Sequence, residues 1–279
     1  MRFIDYETIK EITKQLTISA IYDLDEGVVR KLEEGKRNEE EGISKIVISE
    51  ILENAEIARL KKIPICQDTG VVVVFLEIGN RVHFDFVIDD AINDGVKEAY
   101  KDELFRMSVV RHPFDRKNTF TNTPCIIHIK NVSGDKVKIT VCPKGAGSEN
   151  LSQLKMMIPS DGEQGVIDFI LKAVKNAGGK VCPPMIVGIG IGGNFELSAK
   201  LAKEALIRPI DDESPDPIAA RLENTLFEAI NQLNIGPMGI GGKTTCLGVK
   251  VNIHPCHIAS LPVAINFQCH ASRHKEVVI

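Results

Sequence analysis

The chain has 279 residues, of which 43% are hydrophobic and 26% are charged, as in ordinary globular proteins. A formal net charge of -4 and a pI near 6.0 exclude the basic footprint that nucleic-acid binding requires. The first residues are charged and no apolar run could span a bilayer, so we expect no membrane partner and a cytoplasmic protein. In that setting seven scattered cysteines stay reduced, which argues against disulfides.

The first third of the chain predicts helices followed by strands. Apolar residues between 5 and 60 recur mostly at intervals of three and four, which is typical of helices. Segments 71–78 and 82–88 are strand-like, and the turn signal Gly79-Asn80 between them predicts a hairpin. A helix is expected over 91–104, because two aspartates precede it at a favourable helix start.

The rest of the chain alternates strand and helix patterns. Segments 125–130 and 136–141 predict a second pair of strands, and a glycine-rich loop at 142–150 follows them. The later segments are expected as a helix over 165–176, an extended apolar run with glycines over 181–194, helices over 195–206 and 218–233, a strand over 246–253 and a short apolar run over 261–267. We therefore expect an α/β (α+β) fold with mixed sheets flanked by helices.

Two glycine motifs resemble nucleotide-binding loops without meeting their requirements. Gly188, Gly190 and Gly193 have the GxGxxG spacing, but the second strand with an acidic end that a dinucleotide site needs is missing. A nicotinamide oxidoreductase is therefore an improbable interpretation. The segment 241–245 resembles the end of a P-loop, but Pro237 occupies the place of its first glycine, so we reject nucleoside triphosphate binding.

Reactive groups concentrate in the predicted helix-to-strand loop around Cys66-Gln67-Asp68. Cys182 and Cys269 are also isolated in predicted loops, and the chain lacks the local cysteine pairs typical of zinc sites. Three separated thiols suit either a cluster held by tertiary structure or ordinary free cysteines. Arg106, Arg111 and Arg116 share one irregular segment, where they could be surface charge or could bind carboxylates.

Several of these motifs, in unchanged order, resemble one enzyme family. The motifs are Pro64-Ile65-Cys66-Gln67-Asp68-Thr69-Gly70, Lys144-Gly145-Ala146-Gly147-Ser148-Glu149-Asn150, Cys182-Pro183-Pro184 with Gly192-Gly193, Gly241-Gly242-Lys243-Thr244-Thr245, and Pro255-Cys256-His257 with Cys269-His270-Ala271-Ser272-Arg273. Together they resemble the alpha subunit of class I, iron-sulfur-dependent fumarate hydratase. The closely similar alpha subunit of L-tartrate dehydratase shares them.

The resemblance implies a [4Fe-4S] cluster bound by Cys66, Cys182 and Cys269, with the fourth iron open to substrate as a Lewis acid. It implies a hydro-lyase that reversibly hydrates fumarate to (S)-malate, and L-tartrate dehydration is the alternative. Two subdomains, 1–150 and 151–279, would meet at the cluster. A less favoured interpretation is a non-catalytic metal-binding module that interacts with a partner.

Residue roles also follow from the resemblance. Asp68 matches a catalytic position that contacts substrate and assists proton transfer, and Gln67 matches a substrate contact. Arg106 matches the arginine that binds a substrate carboxylate, although Arg111 competes for that role. Gly147 matches a backbone contact to substrate, and His257 matches a histidine close to the site. The thiols without an expected role are Cys125, Cys142, Cys246 and Cys256.

The resemblance also implies partners. Single-chain members of the family continue beyond the segment that matches Cys269 into a second domain with further catalytic residues. We therefore expect a separate beta subunit, a hetero-oligomer and a small dicarboxylate substrate.

Overall fold

The computed structural model describes residues 2–279, whose internal contacts divide the chain into two compact units. The first unit contains the residues up to Asp25, Ala55–Ala146 and Arg273–Ile279, and the second contains Glu26–Asn54 and Gly147–Ser272. Each unit combines a four-stranded mixed sheet with helices, which confirms the predicted α/β fold. None of the helices in the described part of the chain has the length and apolar character needed to cross a membrane.

The predicted elements occur in the predicted order, but strands at 2–3, 153–157 and 275–278 were not predicted, and the strand predicted over 82–88 covers only 82–83. In chain order the elements are β1 (Arg2–Phe3), α1 (Tyr6–Tyr22), α2 (Glu26–Asn38), α3 (Ile43–Lys61), β2 (Val71–Gly79), β3 (Val82–His83), α4 (Ile88–Asp102), β4 (Ile126–Val132), β5 (Val137–Lys144), α5 (Ala146–Glu149), β6 (Gln153–Met157), α6 (Gly162–Ala177), β7 (Met185–Gly193), α7 (Phe195–Ala205), α8 (Pro217–Asn231), β8 (Cys246–Cys256), β9 (Leu261–Gln268) and β10 (Lys275–Val278). Helical spacing between residues 5 and 60 thus resolves into three helices.

Strand pairing in the first unit differs from the sequence prediction. The sheet order is β10-β5-β2-β4, so β2 lies between the two strands that we expected to pair with each other. β2 runs antiparallel to β5 and parallel to β4. The predicted hairpin of β2 with β3 is also wrong, because both edges of β2 are already paired. β3 instead pairs in parallel with β1.

The core of the first unit forms where α1 and α4 pack together and α1 covers the sheet. Gly95 of α4 faces the main-chain oxygen of Lys10, and a Cβ at that glycine would collide with it. Thr13 and Thr17 are fully buried on α1, and each hydroxyl donates to the carbonyl four residues earlier, at 2.8 and 2.7 Å. Buried hydroxyls that are paired in this way avoid a desolvation cost.

The second unit has the sheet order β6-β9-β7-β8, with β7 parallel to β8 and antiparallel to β9. Its apolar core joins the sheet to α6 and α8. On α7, the main-chain atoms of Ser198 and Ala202 lie so close to Gly188 and Gly190 that a Cβ on either glycine would collide with them. Close helix-to-sheet packing therefore accounts for the GxG part of the spacing that resembles a dinucleotide loop.

The loop before β8 binds a carboxylate of the same unit. Glu39, 6% exposed at the end of α2, accepts hydrogen bonds from the main-chain N–H groups of Lys243 at 3.1 Å and Thr244 at 2.6 Å. A Cβ on Gly242 would lie 2.9 Å from the same carboxylate. The motif that resembles a P-loop end thus holds an internal anion.

A separate ion network joins the segment after α7 to α8 and β8. Arg208 makes two contacts of 2.9 Å with Asp212 and one of 2.7 Å with Glu223. Glu223 also accepts from the main-chain N–H of Val251 at 2.7 Å. This partly buried arginine is fully paired with carboxylates, which is the usual condition for burying a charge.

Candidate active site

The predicted reactive loop connects α3 to β2, as expected. Cys66 is partly buried, Gln67 is exposed and Asp68 is partly buried. The Cys66 thiol lies 3.4 Å from the side-chain oxygen of Gln67, to which it donates. A thiol, an amide and a carboxylate therefore stand side by side, within reach of solvent.

Both oxygens of the Asp68 carboxylate are held by main-chain donors. Oδ1 accepts from Gly70 N–H at 3.0 Å, and Oδ2 accepts from Ala146 N–H at 2.8 Å. Gly70 has a φ of +80°, and a Cβ there would lie 2.6 Å from the Lys144 carbonyl carbon and oxygen. The two N–H bonds fix the carboxylate while leaving each oxygen a further acceptor site.

Side chains from distant segments hold the main chain after Asp68. The Tyr100 hydroxyl donates to the Thr69 carbonyl at 2.7 Å, and Asn122 Nδ2 donates to the Gly70 carbonyl at 3.1 Å. Burial raises the pKa of the Tyr100 hydroxyl, which therefore keeps its proton and remains a donor. These bonds leave Thr69 and Gly70 little freedom to move.

Arg273 supports the same loop from the other end of the chain. The residue is 2% exposed, and its Nη1 donates to the Asp68 main-chain carbonyl at 2.7 Å across a sequence separation of 205 residues. The motif that contains Cys269 therefore also supplies a contact to the Asp68 loop.

Arg106 lies beside this loop. The Thr69 hydroxyl donates to the Arg106 carbonyl at 2.5 Å, and the Arg106 side chain is exposed. Its competitor Arg111 pairs with Asp115 at 3.1 Å, whereas no ion pair of Arg106 occurs among residues 2–279. Arg106 therefore contacts the Asp68 loop through its main-chain carbonyl, and its exposed guanidinium is not used in an ion pair within residues 2–279.

In the second unit, Cys182 and Cys269 lie at the same end of the sheet. Cys182 shortly precedes β7 and Cys269 follows β9, and these strands are antiparallel, with Ile186 opposite Gln268. His270 N–H donates to the Cys182 carbonyl at 3.3 Å. Both thiols are partly exposed, and Cys182 adopts a left-handed conformation with φ +59°, which is uncommon outside glycine. The structure thus brings these two predicted ligands together.

His257 lies at the opposite end of that sheet. It directly follows β8, which runs parallel to β7, and β7 has nine residues. At about 3.3 Å per residue, roughly 26 Å separate the two ends of the strand. His257 is exposed, accepts from Ala259 N–H at 3.1 Å and borders a mostly apolar cavity of about 420 Å³. Within the second unit, the structure does not bring His257 to Cys182 and Cys269.

Gly147 is an exposed residue in the short helix α5. A Cβ placed on it would meet nothing within 4 Å. Two residues later, Glu149 pairs with Lys203 and accepts from Asn266 Nδ2 at 2.8 Å. This anchored carboxylate fixes the end of the loop that carries Gly147.

The cysteines without an expected role have other environments. Burial raises the pKa of the thiols of Cys125 and Cys246 to about 12, which disfavours the thiolate that binds metals. Cys142 is buried in β5, and the exposed Cys256 donates to the Ser260 carbonyl at 3.3 Å. Across residues 2–279, no three His, Cys, Asp or Glu side chains are grouped as ligands of one metal ion.

Tyr100 and Asn122 help to hold the Asp68 loop, a role that the sequence analysis did not predict. Their partners Thr69 and Gly70 lie 31 and 52 residues away. An aromatic residue inside a helix normally indicates core packing, and an asparagine in a polar loop normally indicates a turn. Neither pattern contains a local signal for a bond to the Asp68 loop.

Comparison with known proteins identifies the family. A protein of Methanocaldococcus jannaschii named "Putative L(+)-tartrate dehydratase subunit alpha" is 44% identical over 272 residues, covering 95% of both chains. The L(+)-tartrate dehydratase subunits alpha of Escherichia coli strains UTI89 and K12 are 31% and 30% identical, covering 95% and 97% of this chain and 88% and 90% of their own. The family model described as fumarate hydratase (fumerase) matches residues 10–278. The chain therefore belongs to the fumarate hydratase (fumerase) family.

Proposed function

We propose that this chain is the alpha subunit of a hydro-lyase that removes water from L(+)-tartrate. The observation that carries the reaction class is the Asp68 carboxylate, fixed by two main-chain N–H groups in a loop that also contacts the main chain of Arg106. The names of the relatives support tartrate as the substrate. They therefore favour the alternative of the sequence analysis over its first choice, fumarate.

Removing water from a 2-hydroxy dicarboxylate breaks a C–O bond at one carbon and a C–H bond at its neighbour. Asp68 exchanges a proton with the reacting atoms, since its carboxylate is oriented and retains acceptor capacity. Arg106 binds a substrate carboxylate with its guanidinium, and the exposed Gln67 amide hydrogen-bonds to substrate. For tartrate, the hydroxide and the proton leave as water, and the remaining enol is that of oxaloacetate.

A [4Fe-4S] cluster fits the thiols available. Cys66, Cys182 and Cys269 are partly exposed and lie outside strands, and the last two occupy the same end of one sheet. We propose that these three thiolates hold the cluster, which would supply a Lewis acid for the substrate hydroxyl when bound. The thiolates of a cluster bind different irons, so they do not need to be grouped around one ion.

Hydration of fumarate to (S)-malate is the second candidate, because the matching family model is described as fumarate hydratase. Malate lacks one hydroxyl of tartrate. A site built to hydrogen-bond that hydroxyl would reject malate strongly, whereas a site without such a group would accept both.

The designation "subunit alpha" of the relatives supports a beta subunit as partner. We propose that the active enzyme is a hetero-oligomer and that the beta subunit supplies further groups for the dicarboxylate.

The test is a measurement of iron, sulfide and turnover on protein prepared without oxygen and combined with its beta subunit. We expect about four irons and four sulfides per alpha chain and faster turnover of L(+)-tartrate than of malate. Serine in place of Cys66, Cys182 or Cys269 should remove the iron. The matched control Cys256→Ser, at another exposed cysteine, should retain it.

Other outcomes would indicate a different function. A strong malate preference would move the assignment to fumarate hydration. Zinc in place of iron, with neither substrate turned over, would favour a non-catalytic metal-binding module and contradict the proposed reaction.

A further inference from the structure

The guanidinium of Arg273 is buried without the partners that a buried charge normally has. Arg273 is 2% exposed, and no ion pair of this residue occurs among residues 2–279. Its Nε–H is buried and donates to no acceptor within hydrogen-bond distance among residues 2–279. A buried charge without an ion-pair partner is strongly destabilising, so packing alone does not explain why an arginine occupies this position.

Arg208 provides a comparison, because its contacts are those of an arginine with a structural role. Its guanidinium pairs with the carboxylates of Asp212 and Glu223 at 2.7 to 2.9 Å. Arg273 instead uses Nη1 for the main-chain carbonyl of Asp68, at 2.7 Å. Within residues 2–279, the side-chain hydrogen bond of Arg273 is therefore made to the residue that we assign to proton transfer.

The carboxylate of Asp68 is also close to Arg273, with Gly145 beside both groups. A Cβ on Gly145 would lie 3.2 Å from Asp68 Oδ2 and 3.3 Å from Arg273 Nη2. Absence of a side chain at Gly145 therefore leaves room for the carboxylate and the guanidinium on the same side of the loop. Arg273 holds the main chain of Asp68, while Gly70 and Ala146 hold its carboxylate.

We propose that Arg273 is a positioning residue, whose guanidinium sets the orientation of Asp68 through the Asp68 main-chain carbonyl. The role in turnover depends on the proposed function, whereas the hold on the loop does not. A misplacement of about 1 Å in a reacting group can cost roughly a hundredfold in rate. The effect should therefore fall on kcat, because substrate binding by Arg106 is left intact.

The first test replaces Arg273 with lysine, which keeps a charge but loses the planar guanidinium. We expect kcat to fall by about tenfold to a hundredfold, with KM changed less than threefold. Hydrogen exchange of the Gly70 and Ala146 amides, which donate to the Asp68 carboxylate, should accelerate at least tenfold. The control Arg208→Lys should lower thermal stability and leave both kcat and these two exchange rates unchanged.

Rescue of Arg273→Ala by added guanidinium provides a second measurement. We expect guanidinium at millimolar concentration to restore at least a tenth of the lost kcat and to slow exchange at the two amides. Ammonium at equal ionic strength should do neither.

Wild-type kcat and exchange rates in Arg273→Lys would overturn the proposal, as would a loss of stability alone. If Arg273→Ala does not fold, the lysine variant decides. If neither tartrate nor malate is turned over by the wild type, the proposed function fails, and the exchange rates still test the hold of Arg273 on the loop.

Discussion

Two loops of this protein bind a carboxylate in the same way and in different surroundings. The main-chain N–H of Ala146, next to Gly145, holds Asp68 at 2.8 Å. Main-chain N–H groups of Lys243 and Thr244, next to Gly242, hold Glu39 at 3.1 and 2.6 Å. Asp68 is partly exposed and adjoins a thiol and an exposed amide, whereas Glu39 is only 6% exposed.

The comparison shows that anion-binding geometry alone does not identify a functional loop. Both loops contain glycines and main-chain N–H groups that suit an anion. The loop at 241–245 resembles a nucleotide-binding motif more closely, yet its donors are occupied by an internal glutamate. The Asp68 loop differs because Cys66 and Gln67 adjoin Asp68 and Arg106 contacts the loop. All three residues are at least partly exposed to solvent.

The largest expected effect is on turnover. Asp68→Asn should lower kcat by about a hundredfold to ten-thousandfold, because an amide cannot exchange the proton. The matched variant Glu39→Gln makes the same chemical change at the other loop and should leave kcat within twofold of the wild type. Steady-state kinetics of the assembled enzyme with L(+)-tartrate and malate measures both.

Equal loss of kcat in the two variants would break the distinction between a reactive and a structural carboxylate. Unchanged turnover in Asp68→Asn would remove Asp68 from the mechanism. In either case the assignment of proton transfer to this loop would have to be abandoned.

The second expected effect is on folding stability, which Glu39→Gln should lower more than Asp68→Asn. Glu39→Gln should lower the free energy of unfolding by about 1 to 3 kcal/mol, because an amide nitrogen would face a buried N–H donor. Asp68→Asn should cost less, since water reaches the exposed side of that carboxylate. Urea unfolding of the isolated chain provides both values, and a larger loss for Asp68→Asn would contradict the burial argument.

The smallest effect concerns two glycines of one loop. Gly145→Ala places a methyl group about 3.2 Å from Asp68 Oδ2 and should reduce kcat by about tenfold through displacement of the carboxylate. Gly147→Ala, with open space around its Cβ, should fold with wild-type stability. Kinetics and thermal unfolding of the pair separate the two cases. A larger loss of kcat in Gly147→Ala would shift the critical contact from Asp68 to the Gly147 main chain.

Local patterns predicted the elements of this fold well, and pairing between distant strands poorly. The long helices, the strands β2, β4, β5, β7, β8 and β9 and the loop of Cys66 lie close to the predicted positions, whereas β1, β6 and β10 were not predicted and β3 ends at His83 instead of residue 88. The hairpin prediction failed because a turn signal at Gly79-Asn80 does not reveal that β4 and β5 take both edges of β2. Long-range pairing depends on which strand is central, and spacing within one segment carries no such information.

The candidate site also combines residues that the local sequence indicates with residues that it does not. Asp68, Gln67 and Cys66 adjoin in sequence and could be recognised together. Arg273 was visible only as part of a motif, since nothing local links it to a carbonyl 205 residues earlier. Supporting contacts of this kind depend on tertiary structure, and so sequence reasoning finds the reactive groups before it finds the groups that hold them.

The late position of Arg273 also has a consequence for synthesis of the protein on the ribosome. The Asp68 loop emerges early, but its bond to Arg273 and the pairing of β10 with β5 involve residues made more than 200 positions later. A nascent chain arrested before residue 273 would carry all seven cysteines without a completed Asp68 loop. The Asp68 loop therefore cannot be completed until residue 273 has left the ribosome, and fragments released earlier would lack this contact.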